Sequence, residues 1–114
     1  MKRSQKFFVN DIIECIENIE SFIVGMNYSD FISDDKTISA VTRKIEIIGE
    51  ATKNLSNDFI LNNPEIPWNK FAQMRDKIIH GYFGVDNKIV WETITSDLPE
   101  VLDPLKDLFS KMTE

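Results

Sequence analysis

Cysteine is almost absent from this chain of 114 residues. Cys15 stands alone, so no internal disulfide can form, and with His80 the only histidine the four cysteine or histidine ligands of a structural zinc site cannot be assembled. No apolar run approaches the roughly 18 residues of a membrane span. The opening Met1-Lys2-Arg3-Ser4-Gln5-Lys6 leads into an acid-punctuated stretch where a signal peptide would have its apolar run, so the expected location is cytoplasmic. Positive charge is also short: 13 lysines and arginines face 19 aspartates and glutamates, a net charge of −6 that argues against general coating of nucleic acid. What is present is the 42% hydrophobic and 28% charged composition of a globular protein. The length suits one domain, 1–114, around one core, and no cofactor is expected.

Apolar residues recur at threes and fours with no sustained alternation by twos, which predicts an all-α fold. A first helix is expected over about residues 4–25, with Phe8, Ile12, Cys15, Ile16, Ile19, Phe22 and Ile23 on one stripe. Cys15 therefore reads as a small buried hydrophobe rather than a reactive thiol. After a loop with room for a short helical turn, Asp34 and Asp35 offer caps for a second long helix over about 36–56. Its Ile38, Val41, Ile45, Ile48 and Leu55 keep helical spacing, and Gly49 and Ala51 let a neighbour come close.

The stretch Asn62-Asn63-Pro64-Glu65-Ile66-Pro67 breaks the chain, and Pro67-Trp68 opens a third helix expected to end near Gly81. From about Asn87 onward Trp91, Ile94, Leu98, Val101, Leu105, Leu108 and Met112 form a seam at heptad spacing. Pro99 and Pro104 predict a kink or restart at Ser96 or Asp97, with Asp103 as a second cap. Short loops between such helices imply an antiparallel bundle of four to five.

Between residues 68 and 88 the charge balance turns to +2, leaving −8 for the rest. On a wheel with Phe71 at zero, the apolar residues Met74, Ile78, Tyr82, Ile79 and Ala72 span about 300° round to about 100°, and Arg75 falls among them at about 40°. A guanidinium cannot shed its charge, so Arg75 requires an anion: either a carboxylate of the second helix such as Glu46 or Glu50, or a ligand. His80 lies about 140° from Arg75, whereas Asp76 is one turn before His80 and within reach of its ring. On spacing alone His80 reads as a solvated residue near a helix end and Tyr82 as a core-edge aromatic with its hydroxyl at water. One chain does not bring Arg75 and His80 together on a regular helix.

The run Met74-Arg75-Asp76-Lys77-Ile78-Ile79-His80-Gly81-Tyr82-Phe83 holds an arginine, four residues, a histidine, one residue and a tyrosine. Around it stand Pro67-Trp68, Phe83-Gly84-Val85-Asp86, Ile48-Gly49-Glu50-Ala51, and Trp91 followed by Leu98-Pro99. Together they resemble the HepT-like group of the HEPN superfamily, closely from the second helix onward and more loosely before it. The resemblance implies a metal-independent endoribonuclease toxin, an all-helical homodimer whose cleft takes its arginine and histidine from both chains. Arg75 and His80 would then be catalytic, Asp76 auxiliary in orienting the ring, and Arg75 with Lys77 the phosphate-binding pair. It further implies an MntA-like minimal nucleotidyltransferase antitoxin that attaches adenylate to Tyr82.

Relatives often carry asparagine where this chain has Asp76. Its charge either raises the proton affinity of His80 or weakens the hold on RNA. Glu50 occupies a recurring family position, pairing with Arg75 or lining the cleft. Two other readings stand beside the nuclease. One is a non-catalytic helical subunit that binds substrate or nucleotide for a two-component nucleotidyltransferase; the other is a plain dimerising bundle.

Overall fold

Short polar side chains begin most of the helices. Ser4 Oγ accepts the Phe7 N–H and opens α1 (Gln5–Phe22), while Asn27 and Asp30 cap α2 (Tyr28–Ile32) reciprocally. Asp34 heads α3 (Asp35–Lys53) by accepting the Thr37 N–H, a bond that holds its carboxyl below the usual range. Ser56 does the same through Phe59 for α4 (Asn57–Asn62). Pro67 accepts the Lys70 N–H at 3.0 Å at the start of α5 (Trp68–Ile78), and Asp86 caps α6 (Asn87–Glu92) through Ile89. α6 runs through a π-helical segment, Thr93–Asp97, into α7 (Leu98–Lys111). The computed structural model describes residues 4–78 and 84–113.

Four long helical stretches, α1, α3, α5 and the α6–α7 run, make the expected all-α bundle. Contacts show their directions. Gln5 at the head of α1 accepts the backbone N–H of Ser56 just past α3, while Cys15 further along feels Lys44 and Arg43 in the middle of α3. Lys6 donates to Met112 C=O and sits 4.8 Å from the Phe109 ring, whereas Glu17 pairs with Lys106 at 2.9 Å. Gly49 faces the Phe71 carbonyl, and Glu46, one turn earlier, faces Arg75. Each of these neighbouring pairs runs antiparallel. Ile12, Ile16, Ile45, Ile48, Ile78 and Leu105 are fully buried between them.

The expected stripes hold, with corrections at their ends. α1 stops at Phe22 rather than near Gly25, which takes φ +79° in the following turn, and Phe22 is exposed, not on the buried stripe. Val9 and Ile13, outside the expected stripe, are buried. Cys15 is buried as read, and that burial pushes its thiol pKa up. A maleimide at neutral pH should therefore leave native protein unlabelled and label it promptly in denaturant; rapid labelling of the folded chain would contradict this packing.

The restart expected at Ser96 or Asp97 is present, since the π segment ends at Asp97 and α7 begins at Leu98, whereas Pro104 starts no new helix. The π turn lets Leu98 N–H reach Thr93 C=O, Pro99 falls in the first turn of α7, and Pro104 lies within α7. Asp103 is thus a helix-interior residue and not a cap. The seam keeps its phase: Ile94, Leu98 and Leu105 are buried, with Trp91, Val101, Leu108 and Met112 packed on the core. α4 has no counterpart in the expected elements, although Ser56 ahead of Phe59 and Ile60 was its signal.

Gly49 sits in helical backbone, and a Cβ there would meet the Phe71 carbonyl at 3.5 Å, ordinary van der Waals contact. Gly49→Ala should then stabilise by about 0.5–1 kcal/mol through reduced chain entropy. A loss of stability on urea unfolding would show that α3 and α5 approach too closely for a methyl group.

Candidate active site

α5 is anchored at its start by Trp68, 3% exposed, whose Nε1 donates to Asn63 C=O at 2.9 Å and whose ring meets those of Phe59 and Phe71. Phe71, Met74 and Ile78 then bury one face against the core. At the other end, Asp86 N–H donates to Ile78 C=O at 2.9 Å, so the chain returns at the place where it left α5. Residues 79–83 lie outside the described residues, and with them His80, Gly81 and Tyr82.

Arg75 is not enclosed as its place on the wheel implied. Its side chain is 45% exposed, because α5 buries the arc centred on Met74 and Ile78 and the long stem of Arg75 carries the guanidinium to the rim beside α3. There Nε lies 3.6 Å from Glu46 Oε2 and Nη1 lies 3.6 Å from Asp76 Oδ1. Both separations exceed hydrogen-bond length, and exposed pairs of this kind contribute little. The carboxylate of α3 that meets Arg75 is Glu46; Glu50 is exposed, its backbone carbonyl accepting from Asn54 Nδ2. The guanidinium donors are thus oriented by two carboxylates without being committed to either, so a phosphate that accepts two bonds from the fork can compete for them.

Asp76 is exposed on the far side of α5 from the core and already leans toward Arg75. Lys77 does not share a face with Arg75: two residues turn the helix by about 200°, which places Lys77 on the flank facing α6 and α7. That flank carries a cleft of about 210 Å³, with Lys70 and Lys77 on one rim, Asp97 and Glu100 on the other, and Met74 and Leu98 among its apolar walls. Neither Lys70 nor the two acids figured among the expected site residues. The seven-residue spacing of Lys70 and Lys77, two turns on one face, was the available signal.

The sequence pattern of the family described as Ribonuclease HepT-like matches residues 12–108. This chain belongs to the HepT-like ribonuclease family. A Thermococcus cleftensis protein named "Probable ribonuclease HepT" is 51% identical over 112 residues, 98% of each chain. A relative from Caldanaerobacter subterraneus subsp. tengcongensis, named as a putative RNase, is 40% identical over 97% of this chain and 98% of its own. One from Methanocaldococcus jannaschii with the same form of name is 44% identical over 88% of this chain and 83% of its own. No solved structure matches the chain. Among the described residues of this HepT-like protein, no helix is long and apolar enough to cross a membrane.

Proposed function

We propose that this chain is the endoribonuclease toxin of a cytoplasmic toxin–antitoxin pair, cutting RNA without a metal at a site composed from two protomers. The observation that carries the reading is the half-exposed Arg75 near the end of α5, its donors uncommitted, in a family whose relatives are named as ribonucleases. Five residues on stands His80, the one imidazole the chain possesses.

Cleavage at the ribose 2′-hydroxyl needs a group to take its proton as the oxygen attacks phosphorus and another to protonate the departing 5′-oxygen, leaving a 2′,3′-cyclic phosphate. A single chain has one histidine; two chains have two. One His80 acts as base, the other as acid, and paired Arg75 side chains hold the phosphate and the charge that develops on it. Asp76 orients the imidazole and Lys77 draws the flanking backbone. Adenylylation of Tyr82 by an MntA-like minimal nucleotidyltransferase places added phosphate beside the same arginines, occupying the anion site and repelling RNA.

The test is cleavage of an unstructured RNA by purified protein in the presence of a chelator. Products ending in 2′,3′-cyclic phosphate are expected; intact RNA with restoration by added divalent metal would overturn the metal-independent scheme.

A further inference from the structure

The cleft between α5 and the π segment shares only Lys77 with the chemistry above, yet its make-up is that of a ligand site. Its 210 Å³ exceeds the roughly 150 Å³ of an apolar cavity that admits benzene, so one aromatic ring system has room. Lys70, Lys77, Asp97 and Glu100 make no ion pair with any described residue, so four charges stand on its rims without partners there. One wall includes Thr93 and Asp97 of the π turn, an irregularity that costs helix geometry and recurs at functional sites. Lys70 and Lys77 lie about 10.5 Å apart along α5, and Lys77 and Ile78 bring the cleft to the end of the helix where the reactive groups are proposed.

The geometry points to a base-reading subsite: one nucleobase of the RNA strand seats in this cleft, guanine in preference, with Asp97 and Glu100 accepting from its edge while Lys70 and Lys77 hold the phosphates on either side. The inference rests on the ribonuclease reading and adds specificity to it. A carboxylate accepts two parallel hydrogen bonds, and guanine presents N1–H and N2–H side by side to make them. Adenine and cytosine offer one exocyclic amine, and uracil offers none. The lysines contribute affinity without regard to sequence, since phosphate contacts position and base contacts specify.

The experiment uses full-length His80→Ala protein, so that bound RNA stays intact, and labelled pentaribouridylates with the central base varied. Fluorescence anisotropy should show the central guanine binding about ten-fold tighter than uracil. Adding Asp97→Asn with Glu100→Gln should bring the two within about two-fold of each other, leaving affinity for oligouridylate unchanged or raised. Lys70→Ala or Lys77→Ala should weaken all sequences alike and lower the salt slope by about one each.

Equal binding of all bases, or a guanine preference that survives loss of both carboxylates, overturns the subsite. So does a result in which Lys70→Glu shifts the oligomeric state on ultracentrifugation and leaves affinity for oligouridylate unchanged, since the groove would then be a surface between copies of the chain. The chelator assay keeps the two claims apart: cleavage without base preference removes this inference alone, whereas absence of cleavage removes the reading beneath it.

Discussion

His80→Ala should lower RNA cleavage by about 10²–10⁴-fold while leaving the unfolding midpoint essentially in place, because the change removes proton transfer at both the attacking and leaving oxygens. A proton-transfer group is separable from the fold in a way that a core residue is not. The described part of α5 is held by Trp68, Phe71, Met74 and Ile78, all buried against the core. Single-turnover cleavage of a defined RNA, read beside circular dichroism, distinguishes the outcomes. Folded His80→Ala protein that cuts at the wild-type rate would remove the histidine from the mechanism. Loss of cleavage with loss of structure would move His80 into the scaffold.

Phe71→Ala should have the largest effect on stability. Phe71 is 3% exposed, stacks edge-on against Trp68 with ring centroids 6.2 Å apart, and its carbonyl lies against Gly49 of α3. Truncating a buried phenylalanine removes its transfer free energy and leaves a cavity, at a cost of about 3–5 kcal/mol. Against a total of about 5–15 kcal/mol for a domain of this size, that is a large fraction, corresponding to a fall in Tm of about 10–20 °C. The comparison must be made at one protein concentration, since association would make the midpoint concentration-dependent. A cost below about 1 kcal/mol would mean that α5 is not seated on α3 as described. Residual activity per folded molecule should fall too, because α5 carries Arg75.

How far the sequence carried the fold follows from which physics is local. Asp34 lies three residues before Thr37, so its cap is readable from the chain alone, as is the run of Ile45 and Ile48 on one face of α3. Phe22 shows the limit: its place on the α1 stripe is correct by periodicity, yet the helix has reached its end there and the side chain stays 37% exposed. Pro104 shows another, since the missing donor costs one hydrogen bond while burial of Leu98 and Leu105 on either side carries the helix through.

The site was legible in type more than in arrangement. Arg75 stood out because a charged residue sat among apolar ones on the wheel, yet its guanidinium is half exposed rather than enclosed. Its actual state, half-exposed between Glu46 and Asp76, depends on the stem's length and on how α3 lies against α5, neither of which periodicity encodes. The separation of Arg75 and Lys77 onto two flanks was readable from the wheel. The meaning of the second flank was not, because the rim facing Lys77 comes from residues twenty or more positions away, at Asp97 and Glu100.

The central claim is that two protomers share one reactive site, and mixing tests it. Wild-type and His80→Ala chains unfolded together, refolded in varied proportion and assayed at constant total protein should give cleavage that follows the square of the wild-type fraction, a quarter of full activity at an equal mixture. Activity that falls in direct proportion, with half remaining at that mixture, would mean that each chain cuts RNA alone.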